Sequence, residues 1–352
     1  MSRYFTATLA ALEPYAPGEQ RKMENLVKLN ANENPYPPAP GVAAAVAAAV
    51  PGLRLYSDLK EEKLCAAIAR HWGVSPGNVL CGNGSDENLL LAIRAFCDGE
   101  HPLAFADITY SFYPVLCNLL HVPTHILPLE PDFSLDLAKY RHLGQTIVLA
   151  NPNAPTGLSA PAAQIEEVVR TNPDNVVIVD EAYVDFAPPG TSCVPLTARY
   201  ENLLVVQTFS KSRNLAGARL GFCIGSPALI ADMNRVKFSY SPYNVNALSE
   251  AAGVAAMEDG AYFAAAVAKI CATRANTLAG LRARGFAAAD SATNFVFATR
   301  PDTDCAALFA ALRQRGVLVR RFDAPRIDRY LRVTIGTDAQ MDRFFAELDR
   351  LL

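Results

Sequence analysis

The 352-residue sequence has no excess of either charge: 32 Lys and Arg stand against 35 Asp and Glu, for a net charge of −3. That balance excludes a protein that grips nucleic acid or an anionic membrane through a broad basic field. Small anionic ligands would instead have to be held by a few placed arginines. Long apolar runs are missing too. The nearest, Val42 to Val50, is nine residues of Ala and Val between Gly41 and Pro51, against the roughly 18 to 20 that a membrane span needs. It suits a buried helix. The start, Met1-Ser2-Arg3-Tyr4, lacks the basic-then-apolar order of a secretory signal. The eight cysteines are scattered without a Cys-x-x-Cys, and the five histidines show no metal-ligand spacing. Neither a metal site nor a disulfide framework is expected, and a reduced, cytoplasmic setting is.

What the chain does have is apolar substance. With 51% hydrophobic and 19% charged residues it is no disordered polymer, and its length suggests two domains at about 150 residues each. The first forty residues, rich in Pro, Asn and Tyr, read as an extended arm. From about 60 to 240, short apolar runs alternate with helical stretches. The runs are Asn78–Cys81, Leu103–Ala106, Ile147–Ala150, Val176–Val179, Leu203–Thr208 and Leu220–Ile224. They are apolar or β-branched, as strands buried on both faces are. Helix-length segments such as Asp86–Cys97 and Ala160–Arg170 separate most of them, which predicts crossover units and a mainly parallel sheet. The last two runs are so close that a sheet of mixed direction is expected. After about 245 the order becomes two Ala-rich helices (245–257 and 260–284), a strand at Asn294–Ala298, a helix over 303–315, strands at Val317–Arg320 and Tyr330–Ile335, and a helix over 338–351. That suits a small α+β domain. The expected division is an arm with part of the small domain (1–45), a large domain (46–245) and a small C-terminal domain (246–352).

Four segments carry candidate chemistry. In Thr208-Phe209-Ser210-Lys211, a lysine follows directly on an apolar strand, where burial would lower its pKa and free an amine for Schiff-base chemistry. Arg219 follows eight residues later, placed to return to the same pocket. A surface lysine after a strand fits the same pattern. In Val176-Val177-Ile178-Val179-Asp180-Glu181-Ala182-Tyr183, a carboxylate ends a buried strand where open α/β sheets bind ligands, although a helix N-cap reads the same way. Gly82-Asn83-Gly84-Ser85-Asp86-Glu87 lies between strand and helix and suits a phosphate on the first helical turn. Glu87 stands where a dinucleotide site would need a third glycine. Asn151-Pro152-Asn153-Ala154-Pro155-Thr156-Gly157 is, by itself, ordinary turn chemistry.

In this order the four segments resemble the fold-type I aminotransferases that use pyridoxal 5′-phosphate, and the resemblance covers essentially the whole chain. Leu12-Glu13-Pro14-Tyr15-Ala16-Pro17-Gly18 and Leu29-Asn30-Ala31-Asn32-Glu33-Asn34-Pro35-Tyr36 look like the arm of the histidinol-phosphate aminotransferase family. Tyr56-Ser57-Asp58, Thr109-Tyr110-Ser111-Phe112-Tyr113 and Leu331-Arg332-Val333-Thr334-Ile335-Gly336 fall where that family has its other site segments. The implied fold is a large domain with a mainly parallel, mixed sheet flanked by helices, plus a small α+β domain. By the same resemblance Lys211 would hold the cofactor covalently and shuttle a proton, Asp180 would stay ionised against the pyridinium nitrogen, and Tyr183 would donate to the phenolic oxygen. Tyr110 would stack on the ring; an aromatic core residue is the other reading. Ser85, Asp86, Ser210 and Arg219 would hold the phosphate, joined by Tyr56 from a partner subunit, which implies a homodimer with shared sites. Arg332 would take a carboxylate, while Arg320 and a partner's Tyr15 would add the cation and donor that a phosphorylated substrate needs. Arg321 would face the other way into solvent.

The implied reaction moves an amino group between histidinol phosphate and 2-oxoglutarate by ping-pong kinetics, with glutamate as the amino donor that loads the cofactor before the keto-phosphate takes the amine. The chain also departs from the family pattern. Ala154 replaces the asparagine that faces the phenolic oxygen, leaving Asn153 as the nearest substitute. Ile108 replaces a proline, Ser57 replaces another, and Ser212-Arg213-Asn214 is unusually polar. Competing readings are an aromatic or broad-specificity aminotransferase, a threonine-phosphate decarboxylase-like lyase, and a non-enzymatic domain descended from the fold.

Overall fold

A computed structural model describes residues 2–10, 12–15, 18–21 and 23–352. Ala16 and Pro17 of the first arm segment therefore lie outside the described residues. In chain order the strands begin with β1 (Val27–Lys28), β2 (Val79–Gly82), β3 (Leu103–Ala106), β4 (Thr124–Leu127) and β5 (Thr146–Ala150). They continue with β6 (Val177–Asp180), β7 (Leu203–Thr208) and β8 (Gly221–Gly225). The C-terminal part adds β9 (Ala287–Ala288), β10 (Phe295–Thr299), β11 (Val317–Leu318), β12 (Arg320–Arg321) and β13 (Leu331–Thr334). The helices are α1 (Gly41–Ala49), α2 (Glu62–Trp72), α3 (Ser85–Phe96), α4 (Phe112–Leu120) and α5 (Ala162–Thr171). After them come α6 (Pro227–Tyr240), α7 (Ala247–Glu258), α8 (Gly260–Ala283), α9 (Cys305–Gln314) and α10 (Asp338–Asp349).

Seven strands make the central sheet in the order β2-β8-β7-β6-β5-β3-β4, with β8 alone antiparallel to its neighbours. Period-two alternation sends successive residues to opposite faces. Ile147, Leu149, Val177, Val179, Leu203 and Val205 enter one core with α2, α5 and α7. Val148, Ile178, Leu204 and Val206 enter a second with α3, α4 and α6. Both faces are covered, which is why these runs are apolar throughout. At the edge, β4 alternates exposed and half-buried residues, so its Thr-His-Ile-Leu had no continuous apolar signal. The mixed, mainly parallel sheet is the architecture the strand spacing predicts.

The C-terminal strands form an antiparallel sheet β12-β13-β10-β9, and β1 pairs in parallel with β11. The arm is thereby joined to the end of the chain. The expected strand Val317–Arg320 is broken at Val319: β11 pairs with β1, while β12 turns to β13. Helix α7 shares the core of the large sheet through Ala252, Ala256 and Met257, although it follows residue 245. Its small-residue face packs on α1, and that packing holds it on the large side. Among the described residues no helix is long and apolar enough to cross a membrane.

Candidate active site

The carboxyl ends of β5, β6 and β7, the start of α3, the arm and the β12–β13 pair enclose a cavity of about 460 Å³. Register explains the convergence. Gly82 pairs with Gly221 and Gly221 with Thr208, so β2 ends, and α3 begins, at the same sheet edge as β7. A Cβ on Gly221 would run into the Ser85 nitrogen and the Gly84 carbonyl carbon. Only glycine allows this approach. Gly84, with φ of 84°, caps α3, and Arg219, itself left-handed with φ of 51°, reaches it from the far side. Arg219 lies 3.1 Å from Asp86, whose other oxygen accepts the Tyr110 hydroxyl at 2.9 Å. Ser210 completes the cluster: its hydroxyl accepts from Thr208 Oγ1 at 3.0 Å.

Lys211 is half-buried, with Nζ 3.4 Å from the Ala31 carbonyl and 5.9 Å from the centre of the Tyr183 ring. Burial, helped by the nearby Arg332, lowers its pKa to about 8. Asp180 is buried at the end of β6. Its Oδ2 accepts from Tyr113 at 2.7 Å and its Oδ1 from the Ala182 N–H at 3.2 Å. Desolvation outweighs those bonds and raises its pKa to about 6. The Tyr183 oxygen accepts from Asn32 Nδ2 at 2.8 Å, which leaves the phenolic proton to be donated elsewhere. Burial also raises the Tyr183 pKa, so the proton stays on.

On the opposite wall Arg320 and Arg332 are directly paired across β12 and β13, and both line the cavity. Arg332 donates Nη2 to the Asn30 carbonyl at 3.0 Å, while its buried Nε has no hydrogen-bond partner among the described residues. Phe322 lies between them, 5.5 Å from each guanidinium carbon. Arg321, on the other face, bonds to Asp323 and to the Asp328 carbonyl.

Over residues 24–348 the chain matches the family described as aminotransferase class I and II. It belongs to that family. It is 48% identical to histidinol-phosphate aminotransferase 1 of Bordetella parapertussis, over 100% of this chain and 99% of that one. It is also 48% identical to histidinol-phosphate aminotransferase 1 of Bradyrhizobium diazoefficiens, over the whole of both. The solved histidinol-phosphate aminotransferase of Sinorhizobium meliloti, in complex with pyridoxal-5′-phosphate, superposes with a TM-score of 0.86 at 24% identity. That superposition covers 100% of this chain and 99% of the other, and it shows a shared fold.

The aminotransferase's cavity brings together Lys211, Asp180, Tyr183, Ser85, Asp86, Ser210, Arg219, Tyr110, Arg320, Arg332 and Tyr15. One expectation needs correction. Asn153 does not take over from the asparagine lost at Ala154. Its Nδ2 donates to the Ile108 carbonyl and Thr156 Oγ1, and its Oδ1 accepts from Thr109. The amide is spent on fixing the turn, and Ala154 lines the cavity there. Tyr15, for which the resemblance implies a place in a partner's site, lines the cavity of its own chain here, edge-on to Tyr110 at 6.1 Å and Phe112 at 5.6 Å. Tyr56 does not line this cavity; it is 83% exposed and stacks on Tyr243 at 4.5 Å. Sequence reading missed Tyr113 as the donor to Asp180. Its position three residues after Tyr110, in the same segment, was the available signal.

Proposed function

We propose that the chain is a pyridoxal-phosphate-dependent transaminase that moves an amino group between histidinol phosphate and 2-oxoglutarate. The observation that carries this reading is a half-buried lysine of lowered pKa facing Asp180 and Tyr183 on one wall, with two paired arginines on the other. The residues fit the cofactor. Asp180 is a buried carboxylate with no cation bonded to it among the described residues, Gly84 and Gly221 allow close backbone approach at the start of α3, and Arg219 and Ser210 converge there. When bound, pyridoxal phosphate supplies an aldehyde for an amine and a ring that withdraws electrons from the carbon bearing that amine.

Around that group each side chain has one task. Lys211 would offer the neutral amine and would carry a proton to and from the substrate carbon. Asp180, steadied by Tyr113 and Ala182, would supply negative charge to the ring nitrogen of the bound cofactor. Tyr183 would donate its hydroxyl to the phenolic oxygen of the cofactor. Tyr110 would pack against its ring. Arg332 takes a carboxylate through its planar fork, and Arg320, with Tyr15, meets the second charge of a phosphate. One site can thus accept glutamate and histidinol phosphate in turn.

A homodimer belongs to the proposal. Val50, Leu53, Leu55, Tyr56, Phe238 and Tyr240 expose apolar surface, and Lys237 Nζ bonds the Leu59 carbonyl, tying the two segments together. Tyr56, on this surface, would reach the phosphate of a second copy. For the domains we propose arm, large and small units, with residues 247–258 grouped with the large one.

The test is a half-reaction followed by absorbance. The yellow holoenzyme is mixed with glutamate, histidinol phosphate, phenylalanine or threonine phosphate. Glutamate and histidinol phosphate should bleach it fast. Indifference to histidinol phosphate with rapid reaction of phenylalanine would overturn the substrate, and carbon dioxide from threonine phosphate would overturn the reaction class.

A further inference from the structure

The loop 322–330 joins β12 to β13, the two strands that present Arg320 and Arg332, and it crosses back to the large sheet. Arg326 makes the crossing. Its Nη1 lies 3.0 Å from Asp107 Oδ2, and its Nη2 donates to the Glu130 carbonyl at 2.6 Å. Its guanidinium carbon stands 5.3 Å from the centre of the Phe133 ring. Asp107 follows β3 immediately and is itself held: Oδ1 accepts from the Ile108 and Leu129 N–H groups, both at 2.9 Å. Here the departure at Ile108 acquires a physical meaning. Proline has no N–H and would leave one of those bonds unmade.

Beneath the ion pair lies a small core that belongs to both sheets. Ile327 packs with Ile108, Leu129 and Phe297, and Tyr330 stacks on Phe297 at 4.5 Å and 12°. Arg326 has φ of 70°, a left-handed conformation that a side-chain-bearing residue keeps only when its surroundings hold it there. Most exposed ion pairs add little, because holding two long side chains costs what Coulomb attraction gains. This one differs. Asp107 is fixed by backbone donors, and the Arg326 fork engages two acceptors.

We propose that Arg326, acting through Asp107, is a positioning residue that sets Arg320 and Phe322 over the cavity; this rests on the substrate reading given above. Released, the loop lets the β12 end move, and the phosphate-binding cation loses its place. The pyridoxal phosphate cradle lies on the large sheet and keeps its geometry. The effect is therefore on substrate affinity, separate from cofactor affinity.

Arg326→Ala, Asp107→Asn and the double variant are compared as holoenzymes with histidinol phosphate and 2-oxoglutarate. Hydrogen exchange over residues 320–332, without substrate, and cofactor release are measured alongside. Each single change should raise KM for histidinol phosphate about tenfold and speed exchange in that segment, with cofactor release unchanged. The double variant should be no worse than Arg326→Ala alone, as for two residues acting through one contact. Arg326→Lys, which keeps the ion pair but loses the fork, should fall between. Unchanged KM and exchange in both single variants, or losses that add in the double, overturn the proposal. A wild-type enzyme that ignores histidinol phosphate defeats the substrate reading instead, and exchange over 320–332 still tests the latch.

Discussion

At Lys211, burial makes the neutral amine accessible, with a pKa of about 8 against 10.5 for a free lysine. In cofactor-free protein, capture of the aldehyde by Lys211 should therefore rise with pH and level off above about 8; stopped-flow absorbance checks this. A plateau only above 10 would mean that the pocket does not desolvate the amine. Lys211→Ala should leave no adduct on borohydride reduction. Asp180 is pushed the other way, from 3.8 to about 6. Between those values the folded cofactor-free protein binds more protons than the unfolded chain, so stability falls as pH rises through that window. Two pKa units correspond to about 3 kcal/mol. Asp180→Asn should accordingly flatten the melting profile of the cofactor-free protein between pH 4 and 6 and raise its stability at neutral pH, while sharply weakening cofactor binding. Glu181, buried beside it with a pKa of about 7, leaves its own dependence in both proteins. Asp180, Tyr183 and Lys211 were legible because they end or closely follow recognisable apolar strands. Their partners were not. Tyr113 reaches Asp180 across 67 positions, and Asn32 reaches Tyr183 across 151, separations that no local pattern encodes.

Among elements, the start of α3 and the β12–β13 pair decide what the cavity can hold. Gly221→Ala would drive a methyl group into the backbone of Gly84 and Ser85. The strand and helix start would have to separate, at a cost of about 1–3 kcal/mol. Cofactor affinity, read by fluorescence titration, should fall more than overall stability does, since the displaced N–H groups are the proposed phosphate donors. Opposite, Arg320→Ala should impair turnover of histidinol phosphate far more than that of an unphosphorylated amino acid, because Arg332 remains for a carboxylate. Equal losses for both substrates would defeat the assignment. The alternating parallel strands could be read directly, since strands covered on both faces are apolar without interruption. The break at Val319 could not. A strand that changes partners in mid-run keeps the same β-favouring composition, and only the register of β1 on β11 and of β12 on β13 separates the two pieces. Asn153 failed for a related reason: adjacency to Ala154 in sequence says nothing about which way an amide turns.

For the whole molecule, the issue is whether one chain suffices. A single copy has its own Tyr15 at the cavity, but its Tyr56 points into solvent beside Tyr243, amid Leu53, Leu55 and Tyr240. Exposed apolar side chains grouped in this way mark an association surface, and a two-fold pairing would use the same patch on both copies. If each Tyr56 completes the phosphate site of its partner, Tyr56→Ala should weaken cofactor binding, and Lys211→Ala should abolish turnover, each by disabling both sites of its homodimer. A mixed dimer behaves differently. One of its sites combines the intact Lys211 of one subunit with the intact Tyr56 of the other, and the second site carries both defects. Co-refolding the two variants should therefore restore turnover that neither shows alone at limiting cofactor, with about half of the dimers being mixed at equal inputs if pairing is random. Absence of any recovery, with mixed dimers present by mass spectrometry, would mean that each chain builds its site alone and that the exposed Tyr56 patch serves another purpose.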